Sequence, residues 1–352
     1  MRHTDPRSPD MALSNPSQLL LRNDDLLQGQ SILLVNCPDP QFCQQLRQLN
    51  PDSQISAFNV NFAEHQALAN MPGIDAHFGE QYQADQPHDL IVLYFPKSKH
   101  EFQYLLSMLA SVLHKQGSVL VVGDNKGGVK SSQKLASDLT QSYQKLDSAR
   151  HCTLFSLTYQ DSLPPFNLVD WIETFAITQH GQALQICHLP GVFSRGELDK
   201  GTELLLASLP ERMNGKVLDF GCGAGVIGAV IASLYPQCDV DMLDVNAMAV
   251  ASARLTLDAN KLKGNVFASD GLSKVVGKYQ HVVSNPPFHQ GIKTHYATTE
   301  TFLSDIRHYL TGNGELSIVA NSFLKYAPIL KQHFNHCELK DNANGFSIHH
   351  CK

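Results

Sequence analysis

None of the eight cysteines, Cys37, Cys43, Cys152, Cys187, Cys222, Cys238, Cys337 and Cys351, forms a CxxC pair or stands at a Cys/His knuckle spacing. That argues against a structural zinc site. Thiols scattered in this way over 352 residues fit a reducing cytoplasm. No apolar run approaches the ~20 residues needed to cross a bilayer. The first ten residues mix charges and prolines without an apolar centre, so no signal peptide is expected. Basic residues are not in excess either: 27 Lys and Arg face 33 Asp and Glu, a formal net charge of −6. A polyanionic partner would therefore have to be met by a local site rather than by bulk charge. What is present, 43% hydrophobic and 8% aromatic residues, can fill ordinary cores. At about 150 residues per domain the length suggests two domains. The acidity is uneven: residues 1–185 hold 12 basic and 18 acidic side chains, and residues 186–352 hold 15 of each. The second half is the better candidate to meet an anionic polymer.

The two halves repeat one another. The segment Ile32-Leu-Leu-Val-Asn-Cys-Pro-Asp-Pro40 lies over Val217-Leu-Asp-Phe-Gly-Cys-Gly-Ala-Gly225 at a constant offset, which also pairs Leu49 with Leu234, Pro51 with Pro236 and Asn61 with Asn246. After a small shift, Asp89–Pro96 matches Gln280–Pro287, and Gly117–Val122 mirrors Gly314–Val319. An ordered set of this kind points to duplication of one βαβ domain. The chemistry differs between the copies. Gly221, Gly223 and Gly225 are replaced by Asn36, Pro38 and Pro40, and prolines remove N–H donors and fix φ, so the first loop cannot cradle a ligand as a glycine loop can.

In the second half, strands at 217–220, 239–243, 266–268, 281–284 and 315–320 alternate with helices at 226–234, 247–260, about 299–310 and 325–333. This alternation implies an α/β fold with a parallel sheet covered on both faces. Strands at 337–339 and 346–350 around Asn342–Gly345 add an antiparallel edge, and a second hairpin around His180-Gly181 separates the halves.

Val217-Leu-Asp-Phe-Gly-Cys-Gly-Ala-Gly-Val226 stands where the first strand of the second half meets its first helix, whose N-terminus offers unpaired N–H groups. A dinucleotide fingerprint would need glycine at 226 and finds Val226. Asp244 ends the second strand, where a carboxylate can accept both ribose hydroxyls of an adenosine. Asp270, after the third, could take an adenine amino group, or could be a turn aspartate. Phe193, Ser194 and Thr202 lie in the segment approaching the first strand and are candidates to close over a cofactor.

Ser284-Asn-Pro-Pro-Phe-His289 follows the fourth strand. The prolines favour an extended backbone at Asn285, which aims its side-chain carbonyl and the Pro286 carbonyl at one spot. Two converging acceptors suit an amino group: they direct its lone pair at an electrophile and stabilise the charge that develops on nitrogen. Phe288 can stack on a planar substrate, and His289 is not needed as a base. Arg254, Lys261, Lys263 and Lys293 are candidate phosphate contacts or ordinary surface charges.

Asp219-Phe-Gly-Cys-Gly-Ala-Gly225, Asp244 and Asn285-Pro-Pro-Phe288 together resemble the class I S-adenosylmethionine-dependent methyltransferases that act on exocyclic amino groups. The duplicated layout, Leu189-Pro-Gly-Val-Phe-Ser194 and Asn285-Pro-Pro-Phe-His-Gln-Gly291 are similar to the ribosomal RNA small subunit methyltransferase C family. The resemblance implies two tandem Rossmann-like domains, each with a seven-stranded sheet: a degenerate one over residues 1–170 without a cofactor site and a catalytic one over 171–352. It implies methyl transfer from S-adenosylmethionine to N2 of a guanine in 16S ribosomal RNA, within the 30S subunit, by a monomer without metal. Gly221, Gly223 and Gly225 would contact the methionine part of the cofactor, with Asp219 supporting the loop and Thr202 nearby. Asp244 would hold the ribose and Asp270 the adenine, while Asn285, Pro286 and Phe288 would present a base flipped out of its helix. A sister family acting on 23S ribosomal RNA shares much of this pattern, and Asn-Pro-Pro-aromatic also serves adenine N6 and protein glutamine amides. A non-catalytic RNA-binding module is the reading outside enzymes.

Overall fold

A computed structural model describes residues 13–193, 196–286, 300–322, 324 and 326–352. The chain divides into two compact units, Met1–Leu168 and Val169–Lys352. The first contains β1 (Ser31–Val35), β2 (Gln54–Asn59), β3 (Asp75–Phe78), β4 (His88–Tyr94), β5 (Leu113–Asp124), β6 (Thr140–Ala149) and β7 (Cys152–Tyr159), in the sheet order β3-β2-β1-β4-β5-β7-β6. The second begins with a separate hairpin, β8 (Glu173–Gln179) and β9 (Gln182–His188). Its sheet is built from β10 (Gly215–Phe220), β11 (Cys238–Asp244), β12 (Asn265–Ala268), β13 (Tyr279–Ser284), β14 (Leu310–Asn321), β15 (Cys337–Ala343) and β16 (Phe346–Cys351). The order β12-β11-β10-β13-β14-β16-β15 repeats the first sheet strand for strand, with the first five parallel and the last two forming the antiparallel edge.

The repetition extends to register. Ser31 pairs with Gln54 as Lys216 pairs with Asp239, and Ile32 with Leu90 as Val217 with His281. Leu90 pairs with Ser118 as His281 with Glu315, and Val119 with Leu157 as Leu316 with Cys351. Even the irregularity between His88 and Leu90 has its counterpart between Tyr279 and His281. One slipped residue would turn a strand's apolar set to the wrong face. Matched pairs on every ladder therefore show that the repeat seen in the sequence is a repeat of structure.

In the second unit one apolar cluster, with Val217, Ile227, Val230, Met242 and Ala253, packs on one side of the sheet, and another, with Leu218, Val282, Leu303 and Ile318, on the other. The helix that follows β11, α1 (Ala247–Ala259), carries Ser252 and Thr256 one turn apart, with Asn260 beyond its end. These side chains bond the backbone of Gln185, Cys187 and Leu189, so the edge of β9 is satisfied by a helix face instead of another strand.

One expectation fails on contact with the fold. Cys337 and Cys351 are not separate thiols: the β15–β16 ladder sets them opposite one another, Cα atoms 4.2 Å apart, and their sulfurs are bonded. Their spacing of 14 residues hides this, because it is the hairpin that brings them together. The other six cysteines are free.

Candidate active site

Three neighbouring strands end in the same row. Phe220 on β10 pairs with Leu243 on β11 and with Ser284 on β13. The next residues, Gly221, Asp244 and Asn285, therefore leave the carboxyl edge of the sheet side by side, at a strand spacing of about 4.8 Å. β12 joins the row, since Asp244 pairs with Ala268 and its carbonyl accepts from Ser269 N–H, 3.0 Å away.

The glycine loop turns under this edge. Gly221 and Cys222 both donate to the Leu243 carbonyl at 2.9 Å, and Gly225 donates back to the Cys222 carbonyl at 2.8 Å. Gly221, Gly223 and Gly225 all have positive φ, but their surroundings differ. A Cβ added to Gly221 or Gly223 would meet nothing within 4 Å, so their bare backbone faces open space. A Cβ at Gly225 would stand 2.9 Å from the Cα and Cβ of Ala253. Gly221 and Gly223 thus form a cradle suited to a ligand, whereas Gly225, expected to touch the cofactor, lets α2 (Val226–Leu234) lie against α1.

Asp219 is fully buried behind the loop at the start of the following helix, where its Oδ2 accepts the Gly228 N–H at 2.9 Å. Burial pushes its carboxyl up to about 7, against the Gly228 bond and with help from the charge on Asp244. Asp244 accepts from Gly223 N–H and Asn246 N–H, both at 3.0 Å. Its carboxylate is thus fixed against the cradle; burial raises its pKa and the N–H bonds oppose this. The Cys222 thiol is buried beside both acids and held well above its usual range, which keeps it protonated and unreactive. Asp270 is exposed, two residues beyond β12 on the same edge.

Asn285 is half-buried and Pro286 buried. The Asn285 Nδ2 donates to Thr202 Oγ1 at 2.8 Å and to Asp199 Oδ2 at 3.0 Å. Both partners come from the N-terminus of α3 (Lys200–Ala207), where Asp199 Oδ2 also accepts from Thr202 N–H at 2.9 Å. Thr202, expected beside the cofactor, is placed by its hydroxyl on Asn285. Asp199 escaped the sequence reading altogether; the only signal it offered was that of a helix N-cap. Phe193 is 67% exposed. Phe288, Ser194, His289 and Lys293 lie outside the described residues. Arg254 donates to the Val266 carbonyl, and Lys261 and Lys263 stand in the turn entering the amino end of β12, the edge opposite the site.

A polar cavity opens at that amino edge, with Arg212, His281, Glu315, His350 and Lys352 in its wall. Glu315 is paired with Lys352 at 2.5 Å and stands 3.5 and 3.7 Å from His350 and His281, two imidazoles whose pKa values burial lowers. Among the described residues no group of three or more His, Cys, Asp or Glu side chains is arranged to hold a metal ion.

The same row in the first unit keeps the turn and loses the site. Asn36 adopts positive φ and donates to the Phe58 carbonyl, as Gly221 does to Leu243. Asn59 stands where Asp244 does, but its Nδ2 is turned to the Cys37 carbonyl and to Glu64. Asp39 accepts from Ser14 and Ser17, and Tyr94, in the place of Asn285, bonds the Ser17 hydroxyl at 2.7 Å.

The models of two families match the chain: Methyltransferase small domain N-terminal over residues 17–175 and Methyltransferase small domain over 183–350. The chain is 44% identical over 348 residues to the Ribosomal RNA small subunit methyltransferase C of Colwellia psychrerythraea, covering 96% of this chain and 98% of that one. It is 43% identical over 342 residues to the protein of the same name from Vibrio vulnificus, again covering 96% and 98%. A similar solved structure is the T. thermophilus 16S rRNA guanine-N2 methyltransferase in complex with AdoMet and guanosine, with a TM-score of 0.81 at 24% identity over 93% of this chain and 91% of that one.

Proposed function

The chain belongs to the ribosomal RNA small subunit methyltransferase C family, and from that premise we propose that it methylates the exocyclic N2 of a guanine in 16S ribosomal RNA, using S-adenosylmethionine. The observation that carries this reading is the shared row of Gly221, Asp244 and Asn285 on three adjacent strands. The name shared by relatives that match almost the whole chain favours the small-subunit RNA over 23S RNA and an enzyme over a binding module. The catalytic unit is the second, and the first serves to position RNA or to support the fold. We further propose that the substrate is presented in the 30S particle, in the cytoplasm, to a monomer. No described helix is long and apolar enough to cross a membrane.

The cradle residues fit the cofactor by their own chemistry. The open backbone at Gly221 and Gly223 admits its methionine part, Asp244 has carboxylate lone pairs left for ribose hydroxyls, and Asp270 stands at the next strand end for the adenine. When bound, S-adenosylmethionine supplies an electrophilic methyl group. Asn285 Oδ1 and the Pro286 carbonyl then hold the two amino hydrogens of the flipped guanine, turn the nitrogen toward the methyl carbon and stabilise the positive charge formed on it. One of these hydrogens leaves as a proton after attack. Phe288 is the candidate to stack on the base.

The test is transfer of labelled methyl to 30S particles and to naked 16S RNA, followed by nucleoside digestion. Label is expected in N2-methylguanosine. Asn285→Ala should keep cofactor affinity by calorimetry and lose at least about 100-fold in rate. Full activity would remove Asn285 from the mechanism, and label in adenosine would move the substrate to adenine N6.

A further inference from the structure

We propose that Asp199 is a positioning residue for methyl transfer: with Thr202 it fixes which end of the Asn285 amide faces the substrate. This rests on the functional reading above. An amide has a donor end and an acceptor end of nearly equal size, and a half-turn about the last side-chain bond exchanges them. Only the acceptor end can receive an amino hydrogen of the substrate. A wrongly turned amide would offer N–H to N–H.

Asp199 removes the ambiguity because a carboxylate oxygen can only accept. Its Oδ2 lies 3.0 Å from Asn285 Nδ2, and a carbonyl oxygen in that place would face it lone pair to lone pair. Thr202 Oγ1 takes the second N–H of the same amide at 2.8 Å. With both amide hydrogens committed, Oδ1 must point away from α3, and no described residue donates to it.

The carboxylate is itself held. Asp199 Oδ2 caps the helix by accepting Thr202 N–H at 2.9 Å, so the acceptor is fixed by the backbone it starts. Gly201 makes room for it: a Cβ there would stand 3.1 Å from Asp199 Oδ2 and 2.9 Å from the Phe346 ring on β16. The first unit offers an internal comparison. Ser14 and Ser17 occupy the positions of Asp199 and Thr202, and Ser17 meets Tyr94 by a hydroxyl–hydroxyl bond. Contact between this helix start and the fourth strand is thus a property of the fold. A carboxylate facing an amide occurs at this position only in the second unit.

The experiment compares wild type, Asp199→Ser, Thr202→Val, their double variant and Thr202→Ser, as full-length proteins on the same ribosomal RNA substrate. Serine at 199 can still cap the helix but is too short to reach Asn285. Each single change should lower kcat by about two- to tenfold and the pair by about tenfold, short of multiplying because both act on one amide, with KM for RNA, cofactor affinity and melting temperature held. Thr202→Ser should recover most of what Thr202→Val loses. In an Asn285→Ala background neither change should lower the residual single-turnover rate further, since no amide remains to be oriented. A double variant with wild-type kcat overturns the proposal. So does a loss that persists in the Asn285→Ala background or is matched by lost cofactor affinity. Should Asp199→Ser fail to fold, Thr202→Val, which leaves the cap intact, decides alone. A wild-type protein that binds cofactor but transfers no methyl to ribosomal RNA overturns the functional reading, and this proposal with it.

Discussion

Asp219 accepts one hydrogen bond through Oδ2, while its Oδ1 is buried and has no partner in the structure. An ionised carboxylate in that place is poorly solvated on one side, and its carboxyl is accordingly held at about 7 against an ordinary 3.8. Because the folded value is raised, the associated stability is fully present below pH 3.8 and is lost as the pH climbs through 7. The complete difference corresponds to at most about 4 kcal/mol. In an Asp219→Asn variant the new amide would copy the shape of the protonated acid, with an oxygen for Gly228 N–H and a donor in place of the acid O–H. Unfolding of the second unit in denaturant should therefore show the variant close to wild type near pH 3.5, below the ordinary carboxyl value, and more stable by about 1 to 3 kcal/mol near pH 8. An equal loss at both pH values would show that Asp219 acts as an obligatory anion at the helix N-terminus.

At the scale of elements, the strand–loop–helix unit from β10 to α2 uses one residue type for two purposes. Gly225→Ala adds a methyl 2.9 Å from Ala253 at a residue with φ of 77°, so it should lower the melting temperature of the second unit by several degrees. Gly223→Ala adds a methyl to open space and incurs mainly backbone strain of about 1 kcal/mol, but it fills the cradle. Calorimetry should find cofactor affinity reduced at least about tenfold in Gly223→Ala with only a small shift in melting; the reverse pattern for the two variants would exchange their roles. These three glycines looked alike in the sequence because spacing reports a turn and not what lies above it. Asp244 and Asn285 were legible for the opposite reason: each follows directly on a strand, and strand direction alone puts it at the carboxyl edge. Asp199 was hidden because its bond to Asn285 joins residues 86 apart through a helix start. The place of Lys261 and Lys263 at the amino edge was not legible, because charge carries no information about which edge of the sheet a turn occupies. The Cys337–Cys351 pair was obscured by the register shift between Leu339 and Asp341, which spoils a simple count along the hairpin.

Duplication of a whole domain sets the last question, how many cofactors one chain binds. The two sheets share strand order, register and even the irregularity before the fourth strand, so the fold by itself would provide two sites. The difference lies in four substitutions along one row. Pro38, in the place of Gly223, has no N–H to give and sets a ring where the backbone must stay bare. Leu34, in the place of Asp219, gives no acceptor to the following helix. Asn59, in the place of Asp244, has its amide turned into the protein, and Tyr94 fills the place of Asn285. Asp39, the one acid on the corresponding loop, is taken up by Ser14 and Ser17. Each change removes a different requirement of the site, so no single reversion should restore binding. Titration of the full chain with S-adenosylmethionine should accordingly show one site. Asp244→Ala should weaken that site by at least about 30-fold, the loss of a charged acceptor for the ribose hydroxyls, and uncover no second binding event. A stoichiometry of two, or a residual site that survives Asp244→Ala unchanged, would mean that the first copy has kept a cofactor pocket built on other residues.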